Sequence, residues 1–319
     1  MLVRYERNPI LTRKNIPAVN PYLEDVSSVF NPGAIKFNDK YLLVLRVQTR
    51  GRETYLMKAL SDNGIDFEVE NSVIEFEGID KIRDEIYHIY DTRITQIGEQ
   101  YYLMFAMDMV AGCRLGLART EDFNRYEFLG IVSKDDSRNG VLLPEKINGK
   151  FLRFERPNSV KLEGGPLTGN TIYLSESDDL INWNYIEPVM SGRFHYWDEN
   201  IGSGPPPVKT REGWLHIYHG VATHFSSSNI YQAGVSLHEL DNPAKIIARG
   251  SLNILEPREI YEMVGQVQNV CFPSGMIVEK YEDGFAALDS KVLVYYGAAD
   301  TVVALAFTTI KELIDDAKI

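Results

Sequence analysis

The sequence predicts an all-β chain: a five-bladed β-propeller with four-stranded blades and a short C-terminal helix. Three observations predict it. One hairpin pattern recurs five times in order, a third strand-like run follows each hairpin, and no low-complexity linker interrupts the series. Residues 1–319 are accordingly expected to form a single propeller domain with catalytic function. The competing arrangement is a β-sandwich built of hairpins, and the unbroken order of the repeat argues against it.

The repeated element is a polar turn, a bulky residue and then alternating apolar residues. It reads FNDKYLLVLR (37–46), IGEQYYLMFA (97–106), INGKFLRFER (147–156), TREGWLHIYH (210–219) and DSKVLVYYGA (289–298). A shorter apolar run precedes each one: GAIKF, RITQI, VLLPEKI, PPPVK and GMIVEK. Each pair is a hairpin closed by a turn rich in Asn, Asp or Gly. The third strands are TYLMKALSDNG, CRLGLARTEDF, NTIYLSESDDL, YQAGVSLHELD and TVVALAFTTI. Weaker fourth strands follow in FEVE, YEFLGIV, WNYIEPV and KIIARG, and TTIKELIDDAK is the clear helix. The bulky positions Tyr41, Tyr101, Phe151, Trp214 and Val292 lie 50 to 78 residues apart, so long loops decorate the blades.

Composition bounds the function. Hydrophobic residues make up 44% and charged residues 24% of the chain, as in an ordinary soluble globular protein. The formal net charge of -12 argues against nucleic acid and anionic membranes as partners. No run of about 18 apolar residues is present to span a membrane, and MLVRYERNPIL lacks the apolar core of a signal peptide. The expected compartment is the cytoplasm. Cys113 and Cys271 have no metal-ligand spacing and read as small core residues; no metal is expected.

Hairpin geometry collects the polar residues. The first strand of a blade starts at the end where the second finishes and the third begins, so residues at those places share one face near the axis. Asn31, Asp91, Arg138 and Asn139 mark strand starts; Arg46, Arg156 and His219 mark second-strand finishes; Arg52, Tyr231 and Asp300 mark third-strand starts. An Arg on its own at a strand end is usually a solvated charge. Four of them converging with carboxylates in an acidic protein suit an anion such as phosphate, because the guanidinium fork matches its oxygens. Asp91, beside Tyr90 in the apolar stretch IYHIYDTRITQI, suits a general acid, since apolar surroundings raise a carboxyl pKa. A salt bridge to Arg93 is an equally good reading of the spacing. The 18 Tyr, 14 Phe and 3 Trp, with FHYW (194–197) in a loop and PPP (205–207) stiffening its exit, fit sugar stacking, although most of these rings belong to the core.

These residues resemble glycoside hydrolase family 130, the β-mannoside phosphorylases and their hydrolase relatives. The resemblance rests on FNPGAI (30–35), LRVQTRGR (45–52), YDTRIT (90–95), RNGVLLPEKINGKF (138–151), ERP (155–157), IGSGPPPVKTREGWLHIYHGV (201–221) and YYGAADT (295–301), in order along almost the whole chain. It implies a five-bladed propeller. It implies Asp91 as general acid, with Thr92 standing where the family's Asp-Pro-Arg motif has Pro. Asn31, Arg46, Arg52 and Asp300 match positions that hold the transferred mannosyl unit, and Tyr90, beside Asp91, is a further candidate for substrate binding. Arg138, Asn139, Arg156, His219 and Tyr231 match positions around phosphate. One departure stands out: the family's phosphate-binding Lys is missing, and Asn200 lies nearest its place, with Arg193, His195 and Lys209 as candidate substitutes.

Three functions follow from this reading. The first is an inverting phosphorylase that cleaves β-mannosides, either β-mannosyl-glucose or β-manno-oligosaccharides, with inorganic phosphate as co-substrate and no other cofactor, giving α-mannose 1-phosphate. The second is an inverting hydrolase with Asp198 or Glu199 as the water-activating base. The third is a non-catalytic sugar-binding propeller. The expected partners are an oligosaccharide and phosphate, and the resemblance is compatible with a homo-oligomer. Linkage and acceptor sugar are expected to depend on loops 158–170 and 222–230.

Overall fold

The computed structural model describes residues 1–19, 23–161, 167–223 and 229–319. Five antiparallel sheets stand around an axis as the blades of a propeller. Blade 1 comprises Val26–Phe37, Lys40–Thr49, Thr54–Ser61 and Glu68–Val73. Blade 2 comprises Ile86–Ile97, Gln100–Met109, Gly112–Thr120 and Tyr126–Ile131, with Phe76–Glu77 added in parallel at its edge. Blade 3 comprises Ser137–Leu142, Phe151–Pro157, Thr171–Ser177 and Asn184–Ser191. Blade 4 has a broken inner strand, Asn200–Ser203 and Val208–Thr210, followed by Gly213–Ala222, Ile230–His238 and Ile246–Arg249. Blade 5 comprises Cys271–Val278, Lys291–Ala298 and Val302–Thr309. Neighbouring blades meet in ring order, and blade 5 returns to blade 1.

The fourth strand of blade 5 comes from the other end of the chain. Val3–Arg4 pairs antiparallel with the Val302–Thr309 strand, Val3 opposite Phe307 and Arg4 opposite Ala306. The ring is therefore closed by joining the first residues to the last blade. Arg4 strengthens the closure: its Nε donates to Glu262 Oε1 at 2.8 Å, and Glu262 also accepts from Tyr296 Oη at 2.8 Å. A short helix, Ile260–Met263, carries that glutamate.

The core explains the near-continuous apolar runs. Successive strand residues face opposite sides of a sheet, and here both sides are covered by a neighbouring blade. Leu42 and Val44 pack toward blade 2 with Ile94, Leu103 and Phe105. Leu43, Leu45 and Val47 pack toward blade 5 with Leu293, Tyr295 and Leu305. Similar clusters fill the junctions of blades 2 and 3, 3 and 4, and 4 and 5. The C-terminal helix, Ile310–Ala317, starts at Thr309, whose hydroxyl accepts from the Glu312 amide in a capping box. It buries Ile310, Leu313, Ile314 and Ala317 in the blade 4–5 cluster. Among the described residues no helix is long and apolar enough to cross a membrane.

Candidate functional site

The same irregularity recurs at the start of the inner strands. In blade 1 the register runs Phe30–Arg46 and then jumps to Gly33–Val44, so Asn31 and Pro32 bulge opposite one residue. Blade 2 repeats it with Tyr90–Ala106 and Arg93–Met104, which leaves Asp91 and Thr92 in the bulge. Blade 3 repeats it with Arg138–Arg156 and Val141–Phe154, which leaves Asn139 and Gly140. Asn31, Asp91 and Asn139 have φ of 45°, 55° and 54°. Asn and Asp tolerate this left-handed backbone better than other non-glycine residues. A bulge re-aims a side chain that the pleat would otherwise alternate away, and here it aims three polar side chains to one face.

Asp91 sits at the centre. Its Oδ1 accepts from Asn31 Nδ2 at 2.9 Å and from Arg46 Nη1 at 2.9 Å. Among the described residues no hydrogen bond reaches its Oδ2. Arg46 is sandwiched by rings, 4.4 Å from the Phe30 centroid and 4.5 Å from that of Tyr90. Arg93 does not pair with the Asp91 carboxylate, as the local spacing allowed. It is buried, and donates instead to the backbone carbonyls of Asp91 at 2.5 Å, Gly204 at 3.2 Å and Ser203 at 3.4 Å. Its guanidinium thus ties the blade 2 bulge to the blade 4 strand. Gly297 lets the Asn31 side chain lie against the blade 5 backbone, since a Cβ there would overlap Asn31 Oδ1.

Asp300 occupies a tight turn with Ala299, both at φ 48°, closed by Thr301 N donating to Ala298 O at 2.9 Å. Burial, with the Asp91 charge adding to it and Arg46 opposing it, pushes the Asp300 carboxyl up to about 6. Arg52 is exposed on the hairpin turn between two blade 1 strands, at φ 67°.

Around the axis from Asp91 lie the residues matched to phosphate. Arg138 Nη2 donates to Asp108 Oδ1 at 3.2 Å. Arg156 is buried and has no carboxylate partner among the described residues. Its Nη2 donates to Asn158 Oδ1 at 2.8 Å, and Asn158 Nδ2 donates to Asp136 Oδ1 at 2.5 Å. Burial, with Arg138 adding repulsion, pushes Arg156 down to about 10, so it stays charged at neutral pH. His219 is buried against Phe272, with ring centroids 4.6 Å apart, and against Tyr231 at 6.2 Å. Burial, then Arg156 and Arg93, hold its imidazole well below the ordinary range, so it is neutral. Gly202 leaves room for Asn139 and His219, because a Cβ would overlap both. Asn200, nearest the place of the family's Lys, is on one rung with Val221 and Tyr231.

Buried donors here have no acceptor among the described residues. Arg46 Nε, Arg138 Nε and Arg156 Nε are buried and unpaired, and His219 Nδ1 and the acceptor Asn31 Oδ1 are buried in the same state. Each such group costs free energy unless something hydrogen-bonds to it. The pocket is therefore built for a ligand rich in acceptor oxygens.

Several expectations need correction. Asp198 is not placed as a water-activating base would be. It is fully buried, held by Arg193 Nε at 2.8 Å, Arg249 Nη2 at 2.6 Å and Tyr218 Oη at 2.9 Å. Arg193 is thereby occupied too. Lys209 pairs with Glu145 at 2.5 Å, near the Gly213 turn at the opposite end of the blade, and His195 is exposed in its loop. Glu199 is half-buried and accepts from the Thr223 hydroxyl. Loops 158–170 and 222–230 include residues 162–166 and 224–228, which lie outside the described residues. The sequence reading missed Asp108. It lies two residues past Ala106, on a strand end that hairpin geometry already placed at this face. Among the described residues no cluster of three or more metal-ligating side chains occurs.

The model of a family described as β-1,4-mannooligosaccharide phosphorylase matches residues 3–318. The chain belongs to glycoside hydrolase family 130. It is 33% identical to a β-1,4-mannooligosaccharide phosphorylase of Ruminococcus albus, over 99% of this chain and 90% of that one. It is 31% identical to a 1,2-β-oligomannan phosphorylase of a Thermoanaerobacter species, over 98% of each. Among solved structures, β-1,2-mannobiose phosphorylase from Listeria innocua, in complex with β-1,2-mannobiose, superposes with a TM-score of 0.83 at 27% identity, covering 99% of both chains. The family 130 chain is an enzyme, and its five-bladed architecture is that of its relatives.

Proposed function

We propose that the protein is an inverting phosphorylase that cleaves β-mannosides with inorganic phosphate, releasing α-mannose 1-phosphate and a shortened sugar. The observation that carries this reading is the set of buried, unpaired guanidinium donors around Arg156, a cation with no carboxylate partner among the described residues. The phosphorylase names of the relatives support it.

Asp91 is the proton donor. Asn31 and Arg46 hold one oxygen of its carboxyl, and the other delivers the proton to the leaving oxygen, directly or through a sugar hydroxyl. Asn31, Arg46, Tyr90, Arg52 and Asp300 hold the mannosyl unit. Arg138, Arg156, Asn139, His219 and Tyr231 hold phosphate, which attacks the anomeric carbon from the opposite face. The C–O glycosidic bond breaks as the C–O bond to phosphate forms, and the proton leaves with the sugar. Phosphate is an anionic nucleophile and needs no enzymic base. Against the hydrolase reading stand the two guanidiniums that occupy Asp198 and the Thr223 hydroxyl bonded to Glu199.

The test is product analysis on β-1,4- and β-1,2-mannosides with and without phosphate. Phosphate-dependent release of mannose 1-phosphate is expected. Asp91→Asn should lower turnover by about 10²–10⁴-fold, the usual worth of a positioned acid. Free mannose formed at a rate indifferent to phosphate would establish the hydrolase, and binding without turnover would establish the sugar-binding module.

A further inference from the structure

We infer that Asp108 is a positioning residue for the phosphate-side arginine, an inference that rests on the phosphorylase reading. Asp108 Oδ1 is shared. It accepts from Tyr90 Oη at 2.7 Å and from Arg138 Nη2 at 3.2 Å. The Tyr90 ring lies against both guanidiniums of interest: Arg46 is 4.5 Å and Arg138 6.0 Å from its centroid. Arg46 in turn holds Asp91 Oδ1. One carboxylate oxygen therefore connects the cation on the phosphate side to the ring that supports the cation on the acid side.

The chemistry follows from the donors. A guanidinium offers five N–H groups in a rigid planar fork, so holding one nitrogen fixes where the others point. With Nη2 held by Asp108, Arg138 keeps a buried Nε that has no acceptor among the described residues. The rest of that fork, on a side chain 30% exposed, is what the pocket offers to an incoming phosphate oxygen. Arg156 is held differently, by the neutral amide of Asn158 backed by Asp136. The two arginines are thus oriented by separate tethers, and only the Arg138 tether also reaches the sugar side. The Asp108–Arg138 pair is about one third exposed, at 34% and 30% of the side chains. Asp108 can therefore be replaced without emptying the core. Cys113 Sγ packs 3.6 Å from Tyr90 Oη and also meets Arg138; burial pushes its thiol up, so it adds no charge that could stand in for the carboxylate.

The experiment compares the parent with Asp108→Ala and Asp108→Asn. It measures KM for phosphate at saturating mannoside, KM for mannoside at saturating phosphate, and inorganic phosphate binding by calorimetry. Loss of a charge-assisted hydrogen bond should raise the phosphate KM of Asp108→Ala about tenfold, with the larger part of the effect on phosphate and not on mannoside. Asp108→Asn keeps an acceptor oxygen for both donors and should return phosphate KM to within about threefold of the parent. A merely structural role would lower the melting temperature and kcat of both variants and leave the two KM values in their parent ratio; that result overturns the inference. So does a phosphate KM in Asp108→Ala within about twofold of the parent. A parent that neither binds phosphate nor forms a sugar phosphate fails earlier, and overturns the phosphorylase reading and this inference together.

Discussion

Asp300 and Asp91 share one pocket, and Arg46 faces both. Burial holds the Asp300 proton, so its folded-state carboxyl titrates near 6, against about 3.9 in an unfolded chain. The folded state therefore binds that proton more tightly than the unfolded state does. Stability from this group is whole below pH about 4 and is lost as pH rises through about 6, by roughly 3 kcal/mol in all. Asp300→Asn should consequently melt above the parent at pH 8 and together with it at pH 4. Equal melting temperatures across that range would contradict the assignment. The same variant should lose sugar affinity, which is the sense in which the site stores a cost that function requires. At this scale the candidate residues were largely legible in the sequence, because hairpin geometry and family motifs both point to strand ends. Asp108 was not, since nothing in its own neighbourhood, FAMDMVAG, distinguishes a site carboxylate from a solvated one. Asp198 failed for the complementary reason. Its two guanidinium partners, Arg193 and Arg249, come from separate segments of chain, and only folding sets the distant Arg249 beside it.

At the scale of the element, the bulged inner strand is the unit that makes the site. It turns Asn31, Asp91 and Asn139 to one face at equivalent register positions. The neighbouring blade must then leave room, and glycine does this at Gly297 and Gly202. Gly297→Ala would drive its Cβ into the Asn31 amide and break the Asn31–Asp91 bond. Loss of a hydrogen bond to a charged group predicts a fall of about 10- to 100-fold in kcat/KM, with an unchanged far-UV circular dichroism spectrum. Parent-like activity would show that Asn31 does not hold the acid. The strands themselves were foreseen by their alternation and turn residues. The bulges were not, because a register shift depends on the partner strand and leaves no mark in a single run of residues.

At the scale of the whole molecule, the ring holds the three bulged strands in place only if it is closed. Closure depends on Val3–Arg4 and on the Arg4–Glu262 pair, whose carboxylate has no exposed surface. Removing one partner of a buried pair leaves an uncompensated charge. Backbone amides of Arg258 and Glu259 also reach Glu262, which moderates the loss. Arg4→Ala should therefore destabilise the protein by about 3 kcal/mol, seen as a lower urea midpoint with an unchanged slope. A shift below about 0.5 kcal/mol would place ring closure elsewhere.

The sequence alone determined the architecture and the ingredients of the site. A five-fold repeat with apolar residues on both strand faces can be buried only between blades, and the polar strand ends must then gather at the axis. Tertiary structure decided the pairings. It gave the first strand of the chain to the last blade, locked Asp198 between two guanidiniums, turned Arg93 to carbonyls instead of to Asp91, and brought Asp108 to Arg138 and Tyr90. The physical reason is one of range. Periodicity and turn chemistry act over a few residues and are written locally, whereas the partner of a charged side chain depends on which distant strand the ring sets beside it.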